Sequence, residues 1–466
     1  MKNYLVFTMA TLLLGTACSS KKEHAEGFTG APGEVKLITL DPGHFHAALV
    51  QKVSYPQVSK DVYVYAPTGF DVNEHLKRIE GFNTRAENPT LWNEIVYTGT
   101  DYLEKMLAEK KGNVMIQAGN NGKKTEYIKK TLEAGINVLS DKPMAINSQN
   151  FKLLEECFDI ARQKNVLLYD IMTERNEITT MLQRELSTIP AIYGEQLKGS
   201  PDEPAIVKES VHHLFKLVDN KPLTRPVWYF DVTQQGEGIV DVTTHLVDLV
   251  QWEAFPEQII DYKKDIELVD ANRWTTSISP EEFKQVTGTD AYPDFLKKDV
   301  ENDTLKVYCN GDIVYKIKGV TAKVSVIWNY TFPEGGGDTH FSVMKGSKAD
   351  LIIRQGQEQG YKPELYIEAL PDIDLAAYEK ELAAAMSTVA DKYPGVALDK
   401  VSDNVWQVQI PATYRVGHEA HFGQVMENYL QYLQDGKLPD WEVPNMIAKY
   451  YVTTHALEMA KVKAKK

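Results

Sequence analysis

The sequence predicts an α/β protein in which a doubly wound parallel sheet is followed by an α+β domain with a large, mostly antiparallel sheet. Two observations predict this fold class. From residue 35 to about residue 170, short apolar strands alternate with helical patterns. Beyond residue 174, segments of alternating apolar and polar residues follow one another between turns. We therefore assign residues 34–173 to a first domain and residues 174–466 to a second.

Six apolar strands form the predicted parallel sheet. They are Val35–Leu40, Val62–Tyr65, Ile95–Tyr97, Val114–Gln117, Val138–Leu139 and Val166–Tyr169. Helices are expected between them at Ala47–Val53, Tyr102–Ala108, Thr125–Ala134 and Phe151–Gln163. Because the strands are apolar throughout, we expect helices on both faces of the sheet, and ligands at the carboxyl ends of its strands where the strand order reverses.

The second domain contains mainly strand patterns and closes with helices. Strands are expected at Ala191–Gly199, Trp228–Thr233, Arg273–Ile278, Leu305–Cys309, Ile313–Lys318, Ala322–Tyr330, His340–Met344 and Asp350–Arg354, and helices at Ile178–Leu186, His418–Leu433 and Val443–Lys461. Asn310-Gly311 is a typical hairpin turn and is expected to join two of the strands. The strands between Lys306 and Trp328 are therefore expected to form an antiparallel meander.

The first 33 residues resemble an export segment followed by a tether. Lys2 precedes an apolar run that is too short to span a bilayer, and small residues follow it, as in a secretory signal peptide. Cys18 comes directly after them, which resembles a bacterial lipoprotein signal with Cys18 as the acylated N-terminus. We expect a signal peptide at residues 1–18, a tether at residues 19–33, and an exported protein that is lipid-anchored to a bacterial membrane. An ordinary cleaved signal or an uncleaved anchor are the alternatives.

The most specific motif spans the fourth and fifth predicted strands. It begins with Val114-Met115-Ile116-Gln117-Ala118-Gly119-Asn120-Asn121 and ends with Ser140-Asp141-Lys142-Pro143. The segment resembles the Gfo/Idh/MocA oxidoreductase family, in which a strand ending near Thr-Pro-Asn is followed by a helix, Ala-Gly, a short strand and Glu-Lys-Pro. Asn121, Lys142 and Pro143 take the family's places, and Asp141 replaces the usual glutamate. The resemblance implies a Rossmann-type domain that binds NAD or NADP at these residues.

Lys142 has a definite chemical use in an oxidation. A hydroxyl group that loses a hydride must also lose a proton, and a cation at the end of a strand stabilises the developing alkoxide. A surface lysine ahead of a turn-forming proline is the structural alternative. The surrounding motif favours a catalytic lysine.

A second motif begins at Gly236 and contains Asp241 and His245. It resembles the family's Gly-Gly-x-x-x-Asp-x-x-x-His-x-x-Asp segment. Because they are four residues apart on a helix, the two side chains share a face. Histidine titrates near neutral pH, so His245 can act as general base, while Asp241 binds the substrate or raises the basicity of the imidazole. An amphipathic helix with an aspartate near its N-terminus is the structural alternative.

The loop after the first strand departs from the family's Gly-x-Gly-x-x-Gly pattern. It reads Asp41-Pro42-Gly43-His44-Phe45-His46, in which Gly43 keeps the place of the middle glycine. We expect Gly43, His44, Phe45 and His46 to contact the cofactor, with the pyrophosphate near a helix N-terminus. Tyr65 and Ala66 stand where an acidic residue usually contacts the ribose, so the choice between NAD and NADP stays open.

Histidines and aromatic residues complete the candidate site. His44 and His46 could ligate a metal ion with His212, His213 or His245, but no further cluster has metal-like spacing, and we predict no metal. Trp228 and Tyr229 precede the second motif and are expected to stack on a sugar ring.

The sequence therefore predicts an exported NAD(P)-dependent oxidoreductase that oxidises a hydroxyl of a sugar or glycoside, with a 3-keto sugar as a candidate product. The net charge of −14 argues against nucleic acid as a partner. Since free NAD is scarce outside the cytoplasm, a tightly bound cofactor is an option. The alternatives are an NAD-dependent glycoside hydrolase or lyase that uses transient C3 oxidation and elimination, and a carbohydrate-binding lipoprotein without catalysis. The resemblance also implies a homo-oligomer formed through the open sheet.

Overall fold

The computed structural model describes residues 27–218, 221–333 and 335–465. The predicted signal peptide, Cys18 and the first part of the tether lie outside these residues. Within the described ranges, none of the helices combines the length and the apolar character that a membrane crossing needs.

A six-stranded parallel sheet with connecting helices forms the first part of the fold. Its elements are β1 (Leu37–Leu40), α1 (His46–Leu49), β2 (Asp61–Ala66), α2 (Phe70–Thr84), β3 (Asn93–Thr98), α3 (Tyr102–Glu109), β4 (Val114–Gln117), α4 (Asn121–Glu133), β5 (Asn137–Asp141), α5 (Ser148–Lys164) and β6 (Leu168–Ile171). The strands pair in the order β3-β2-β1-β4-β5-β6, all parallel. The six predicted strands are confirmed, and the strand order reverses between β1 and β4, where a ligand is expected.

Two connections in this sheet differ from the prediction. The helix expected at Ala47–Val53 is only the single turn α1, so the helix N-terminus expected to hold a pyrophosphate is very short. The 15-residue α2 is missing from the prediction. It buries only Val72, His75 and Ile79, which is too few apolar positions for a recognisable helical stripe.

A larger, mostly antiparallel sheet forms the second part of the fold. Its elements are α6 (Ile178–Ser187), β7 (Ile206–His213), β8 (Leu217–Val218), β9 (Lys221–Pro222), α7 (Thr243–Ala254), α8 (Tyr262–Asp265), β10 (Ile266–Ile278), α9 (Pro280–Thr287), β11 (Val300–Glu301), β12 (Thr304–Ile317), β13 (Val320–Asn329), β14 (Thr339–Lys345), β15 (Ala349–Gln355), β16 (Glu364–Ala369), α10 (Leu375–Lys392), β17 (Ala397–Ser402), β18 (Val405–Gln409), α11 (His418–Asp435) and α12 (Glu442–Lys463). The main path runs β10-β12-β13-β7-β14-β15-β16-β18-β17, and only β13 and β7 pair in parallel along it. The predicted fold class is therefore confirmed.

Three local predictions in the second sheet are wrong. Trp228–Thr233 is not a strand, since Val227–Phe230 form a 3₁₀ helix, and Ala191–Gly199 begins with a turn and has only isolated β-bridges at Gln196 and Gly199. Asn310-Gly311 lies inside the continuous β12 and not at a hairpin turn. The side chain of Asn310 donates hydrogen bonds to the main chain of Trp274 and the hydroxyl of Thr276, which ties it to β10.

The strand β7 is missing from the prediction because a charged residue lies on its core side. Lys208 is fully buried, and its Nζ lies 2.7 Å from a carboxylate oxygen of Glu253. A buried lysine in the middle of the strand breaks the apolar alternation by which strands are recognised.

The two C-terminal helices return to the parallel sheet. Phe422, Met426 and Tyr429 of α11 and Tyr450 of α12 belong to the same buried core as the strands β1 and β4. The end of the chain thus packs against both sheets and holds them together around the cleft between them.

Candidate functional site

A cavity of about 410 Å³ lies at the carboxyl ends of β1, β4 and β5, opposite the start of α7. Eight of the predicted site residues line it, namely His44, Phe45, His46, Asn121, Lys142, Tyr229, Asp241 and His245. Pro143 is buried and follows a cis peptide bond after Lys142, and it does not line the cavity. The two motifs, about 100 residues apart in the chain, therefore meet at one site.

Lys142 and Asp241 form the polar centre of this cavity. Lys142 Nζ lies 2.6 Å from Asp241 Oδ1, and Asp241 Oδ2 accepts a 3.0 Å hydrogen bond from Gln235 Nε2. Asn121 Nδ2 in turn donates to the main-chain oxygen of Gln235 at 2.7 Å. Asn121 thus holds the segment that positions Asp241, a role that the sequence pattern does not reveal.

A glycine allows that segment to approach the second sheet. Gly238 lies so close to β12 that a Cβ atom there would be 1.8 Å from the main-chain oxygen of Cys309. Any larger residue would push the segment away from the sheet and Asp241 away from Lys142.

The surroundings of Lys142 and His245 set their charge states. Burial lowers the pKa of Lys142, but the carboxylates of Asp241 and Asp141 more than offset this and raise its pKa overall. Burial, together with the positive charges of Lys142 and His418, holds the pKa of His245 well below its usual range. His245 Nδ1 is buried without a hydrogen-bond partner among the described residues. The site therefore combines a charged lysine with a neutral imidazole.

Trp228 does not lie in this cavity, contrary to the expectation that it stacks on the substrate. Its indole packs over Gly43, where a Cβ atom would be 3.0 Å from the ring and 3.1 Å from Asp71. The indole Nε1 donates a 2.9 Å hydrogen bond to Asp71 Oδ2. Trp228 therefore covers the glycine at which a pyrophosphate would approach the backbone.

The fit of a dinucleotide differs between the two ends of the site. Gly119, Asn121 and Lys142, at the ends of β4 and β5, leave an open cavity of a size that suits a nicotinamide and a small substrate. At the loop, Trp228 covers Gly43, and the main-chain N–H of His44 already donates to the Ala118 oxygen. The nicotinamide end is open, whereas at the pyrophosphate end the indole lies against Gly43, beside a second cavity that Gly43, His44 and Phe45 line.

The histidines form two separate groups. His46 Nδ1 lies 3.0 Å from Asp141 Oδ2, and His44 Nδ1 lies 3.8 Å from the same oxygen. His212 and His213 instead contact Asp338, at 3.4 and 2.9 Å. The alternative that His44 and His46 share a metal ion with His212, His213 or His245 is not supported, because among the described residues only Asp141 places a ligand atom close to theirs.

Several lining residues have no recognisable signal in the sequence. They are Glu174, Lys216, Arg225, Gln235, Asp338 and His418. Each comes from a different loop or helix end, so that only folding brings them together. Arg225 makes the most distinctive contacts, since its guanidinium lies 4.8 Å from the ring centre of Tyr229 and 5.2 Å from that of Trp328.

Two family models match the chain. The model described as "Oxidoreductase family, NAD-binding Rossmann fold" matches residues 72–170, and that described as "Putative oxidoreductase C terminal domain" matches residues 182–461. The second match alone covers more than half of the chain. The chain belongs to the Gfo/Idh/MocA family of oxidoreductases.

Solved structures resemble this Gfo/Idh/MocA protein over nearly its whole length. A crystal structure described as that of a "putative oxidoreductase" from Parabacteroides merdae is 88% identical, covers 94% of this chain and 100% of its own, and has a TM-score of 0.93. Levoglucosan dehydrogenase in complex with NADH is 13% identical over 92% of this chain and 97% of its own, with a TM-score of 0.59. A 3-ketoreductase from Actinomadura kijaniata in complex with NADP is 12% identical over 90% and 95%, with a TM-score of 0.53. The last two similarities show the fold, and no curated protein sequence matches the chain.

Proposed function

We propose that this protein oxidises a hydroxyl group of a sugar or glycoside, with NAD(P) as the hydride acceptor. The observation that carries the proposal is the contact of Lys142 with Asp241 at 2.6 Å in a cavity that His245 also lines. Levoglucosan dehydrogenase, which shares the fold, is described in complex with NADH and levoglucosan. Sugar oxidation is thus in keeping with the chemistry of a structural neighbour.

The proposed roles follow from the charge states of the site. A substrate hydroxyl placed between Lys142 and His245 donates its proton to the neutral imidazole, and the lysine stabilises the oxygen as negative charge develops. Asp241 keeps Lys142 charged and fixes its direction. NAD(P), when bound at the ends of β4 and β5, supplies the acceptor for the hydride.

The opposite wall of the cavity suits the rest of a sugar. Tyr229 and Trp328 offer aromatic surface, and Arg225 packs between them with its guanidinium close to both rings. Lys216 and Asp338 form an ion pair beside them. An apolar surface bordered by fixed hydrogen-bonding groups is what a sugar, with its apolar face and polar rim, requires.

The test is oxidation of a panel of sugars and glycosides by the purified protein and by a Lys142→Met variant. We expect a keto-sugar product and a turnover about 10²–10³-fold lower in the variant, as for the loss of one transition-state donor. Lys297→Met, which changes an exposed lysine, should leave turnover unchanged.

Three outcomes would contradict the proposal. Full turnover by Lys142→Met would exclude the role of the lysine. Release of free sugar without net redox change would point to glycoside cleavage through transient oxidation. Sugar binding without any binding of NAD(H) would point to a carbohydrate-binding protein.

We further propose that the protein is exported and anchored through a lipid on Cys18. The support is the order of a basic start, a short apolar run and small residues ahead of the cysteine. An exported enzyme would retain or recycle its cofactor, because it cannot draw on the cytoplasmic pool.

A further inference from the structure

Three side chains with metal-ligating atoms converge at the edge of the cavity. One ligand atom from each of His44, His46 and Asp141 lies within 4.8 Å of the other two. The imidazole Nδ1 atoms lie 3.8 and 3.0 Å from the same carboxylate oxygen, Asp141 Oδ2. Ligands at about 2.1 Å from a tetrahedral ion lie about 3.4 Å from one another, so these distances bracket those of a metal site.

Hydrogen bonding within the protein leaves this cluster incomplete. Asp141 Oδ1 is buried and has no hydrogen-bond partner among the described residues. The nearby Lys124 does not compensate, because its Nζ donates to the main-chain oxygen of Asp141 at 2.8 Å. The oxygen that contacts the two imidazoles is Oδ2, and the unpartnered Oδ1 of the same carboxylate is unfavourable without a further cation or donor.

The electrostatic surroundings tolerate a cation. Lys142 lines the same cavity, and its charge is paired with that of Asp241 at 2.6 Å. The carboxylate of Asp141 supplies a negative charge, and Glu174 lines the same cavity. His418 also faces the cluster, with its ring centre 5.8 Å from that of His46.

Two of the three residues stand where the sequence departs from the Gfo/Idh/MocA pattern. His46 replaces the third glycine of the loop and Asp141 replaces the glutamate of Glu-Lys-Pro, while His44 takes a variable position of the same loop. The start of α1 and the end of β5 bring the three residues together. A common ligand accounts for both departures.

We propose that His44, His46 and Asp141 bind one divalent first-row transition metal ion. Two imidazoles and one carboxylate are a ligand set that zinc, iron and cobalt favour. The side chain of His44 is 24% exposed, so the remaining coordination positions face the cavity, where a water molecule or a substrate oxygen can bind. The proposal concerns the metal alone and does not depend on sugar oxidation.

The test is titration of the metal-free, tag-free mature protein with Co²⁺, followed by visible absorption, and with Zn²⁺ in competition. We expect one equivalent per chain, d–d bands of a nitrogen- and oxygen-coordinated ion, and affinity lower by about tenfold or more in His46→Gln and Asp141→Asn. His44→Gln changes the residue at the cavity edge and should show the same loss of affinity. It replaces His46→Gln or Asp141→Asn as the test variant if either of these buried substitutions impairs folding. His455→Gln, which changes a histidine on α12 outside the cluster, should bind as the wild type does.

Two results would overturn the proposal. One is wild-type protein that binds less than one equivalent of Co²⁺ or Zn²⁺; the other is unchanged affinity in folded His44→Gln and Asp141→Asn variants. Lys142→Met separates the metal from the proposed oxidation, because it should lose turnover and keep the metal. Lys142-dependent sugar oxidation by a wild-type protein that binds no metal would refute the metal site alone.

Discussion

His245 is held as a neutral imidazole by its surroundings. Burial is the largest cause of its lowered pKa, followed by the positive charges of Lys142 and His418. An ordinary histidine becomes protonated near pH 6.5, whereas His245 stays neutral at lower pH. It can therefore accept a proton across the whole neutral range.

This charge state predicts the pH dependence of turnover. We expect kcat/KM to stay constant as the pH falls from 8 through 6.5, because protonation of His245 requires more acid than usual. His245→Asn should lower turnover by about 10²-fold or more and remove the acid limb that remains below that pH. Measurement of kcat/KM against pH, with His455→Gln as control, checks this. A wild-type acid limb centred at or above pH 6.5 would contradict the assignment.

The loop from Asp41 to His46 shows how single residues reshape an element. Asp41, in the place of the first glycine, adopts a positive φ of 46°, a conformation that favours glycine. His46, in the place of the third, packs against Phe422 of α11 with ring centres 4.5 Å apart. Gly43 stays free of a side chain, and the indole of Trp228 occupies the space above it. The loop thus keeps the turn, with the indole packed against Gly43.

The position of the indole predicts how Trp228→Phe changes the affinity for NAD⁺. Phenylalanine cannot donate the hydrogen bond that the indole makes to Asp71. If a dinucleotide has to break that hydrogen bond in order to bind, Trp228→Phe should bind NAD⁺ about tenfold more tightly than the wild type. Calorimetric titration with NAD⁺ measures this, with the exposed Trp274→Phe on β10 as control. Weaker binding by Trp228→Phe would instead make the indole part of the cofactor site.

Asp71 is expected to make NAD⁺ binding dependent on pH. Burial raises its pKa to about 6, although the hydrogen bond from Trp228 favours the ionised form. Above pH 6 the carboxylate is charged, so it holds the indole more strongly and repels a pyrophosphate. NAD⁺ affinity should therefore fall as the pH rises through about 6, and Asp71→Asn should abolish that fall. Equal pH dependence in both proteins would contradict this explanation.

A buried ionic network joins the two sheets of the molecule. Asp248 on α7 accepts two hydrogen bonds from Arg175, at 2.6 and 2.7 Å, and one from Lys449 on α12 at 2.9 Å. Lys449 also lies 2.8 Å from Asp170 of β6. Because Asp248 is one helical turn after His245, this network fixes the position of the proposed base relative to the parallel sheet.

The network predicts a loss of stability in Asp248→Asn. Removing one partner leaves two buried cations undercompensated and should lower the free energy of unfolding by about 3–5 kcal/mol. Burial raises the pKa of Asp248, but Arg175 and Lys449 more than offset this and lower it overall. Its contribution is therefore complete above about pH 4, the ordinary value for aspartate, and is lost as the pH falls further.

Urea unfolding at several pH values measures this effect. Asp290→Asn, which changes an exposed ion pair, serves as control and should alter the free energy of unfolding by less than about 1 kcal/mol. An Asp248→Asn variant as stable as the wild type would mean that the network contributes nothing to holding the sheets together.

The N-terminal segment predicts the location of the whole molecule. In a bacterial host that processes lipoproteins, Cys18→Ala should move the protein from the membrane fraction to the soluble fraction, because the acylated residue is lost. Incorporation of labelled fatty acid into the wild type and not into the variant checks this. Soluble wild-type protein would leave an ordinary cleaved signal as the explanation.

Local patterns were sufficient for the parallel sheet and for the centre of the site. Six apolar strands with helices between them predict a sheet whose carboxyl ends form the ligand edge, and two short motifs that resemble the Gfo/Idh/MocA pattern point to Lys142, Asp241 and His245. The strands are confirmed and the three side chains line one cavity, because strand burial, helix periodicity and motif spacing are properties of neighbouring residues.

Contacts between distant segments decided the rest. Trp228 reads as a sugar-stacking residue but lies over Gly43, and Asn310-Gly311 reads as a turn but continues β12 because Asn310 bonds to β10. His44 and His46 meet Asp141, which is 95 residues from His46 in the chain. The sequence by itself determined the fold class and the two motifs that contain Lys142 and Asp241, whereas only the tertiary structure decided which side chains surround them, since packing between elements leaves no periodic signal along the chain.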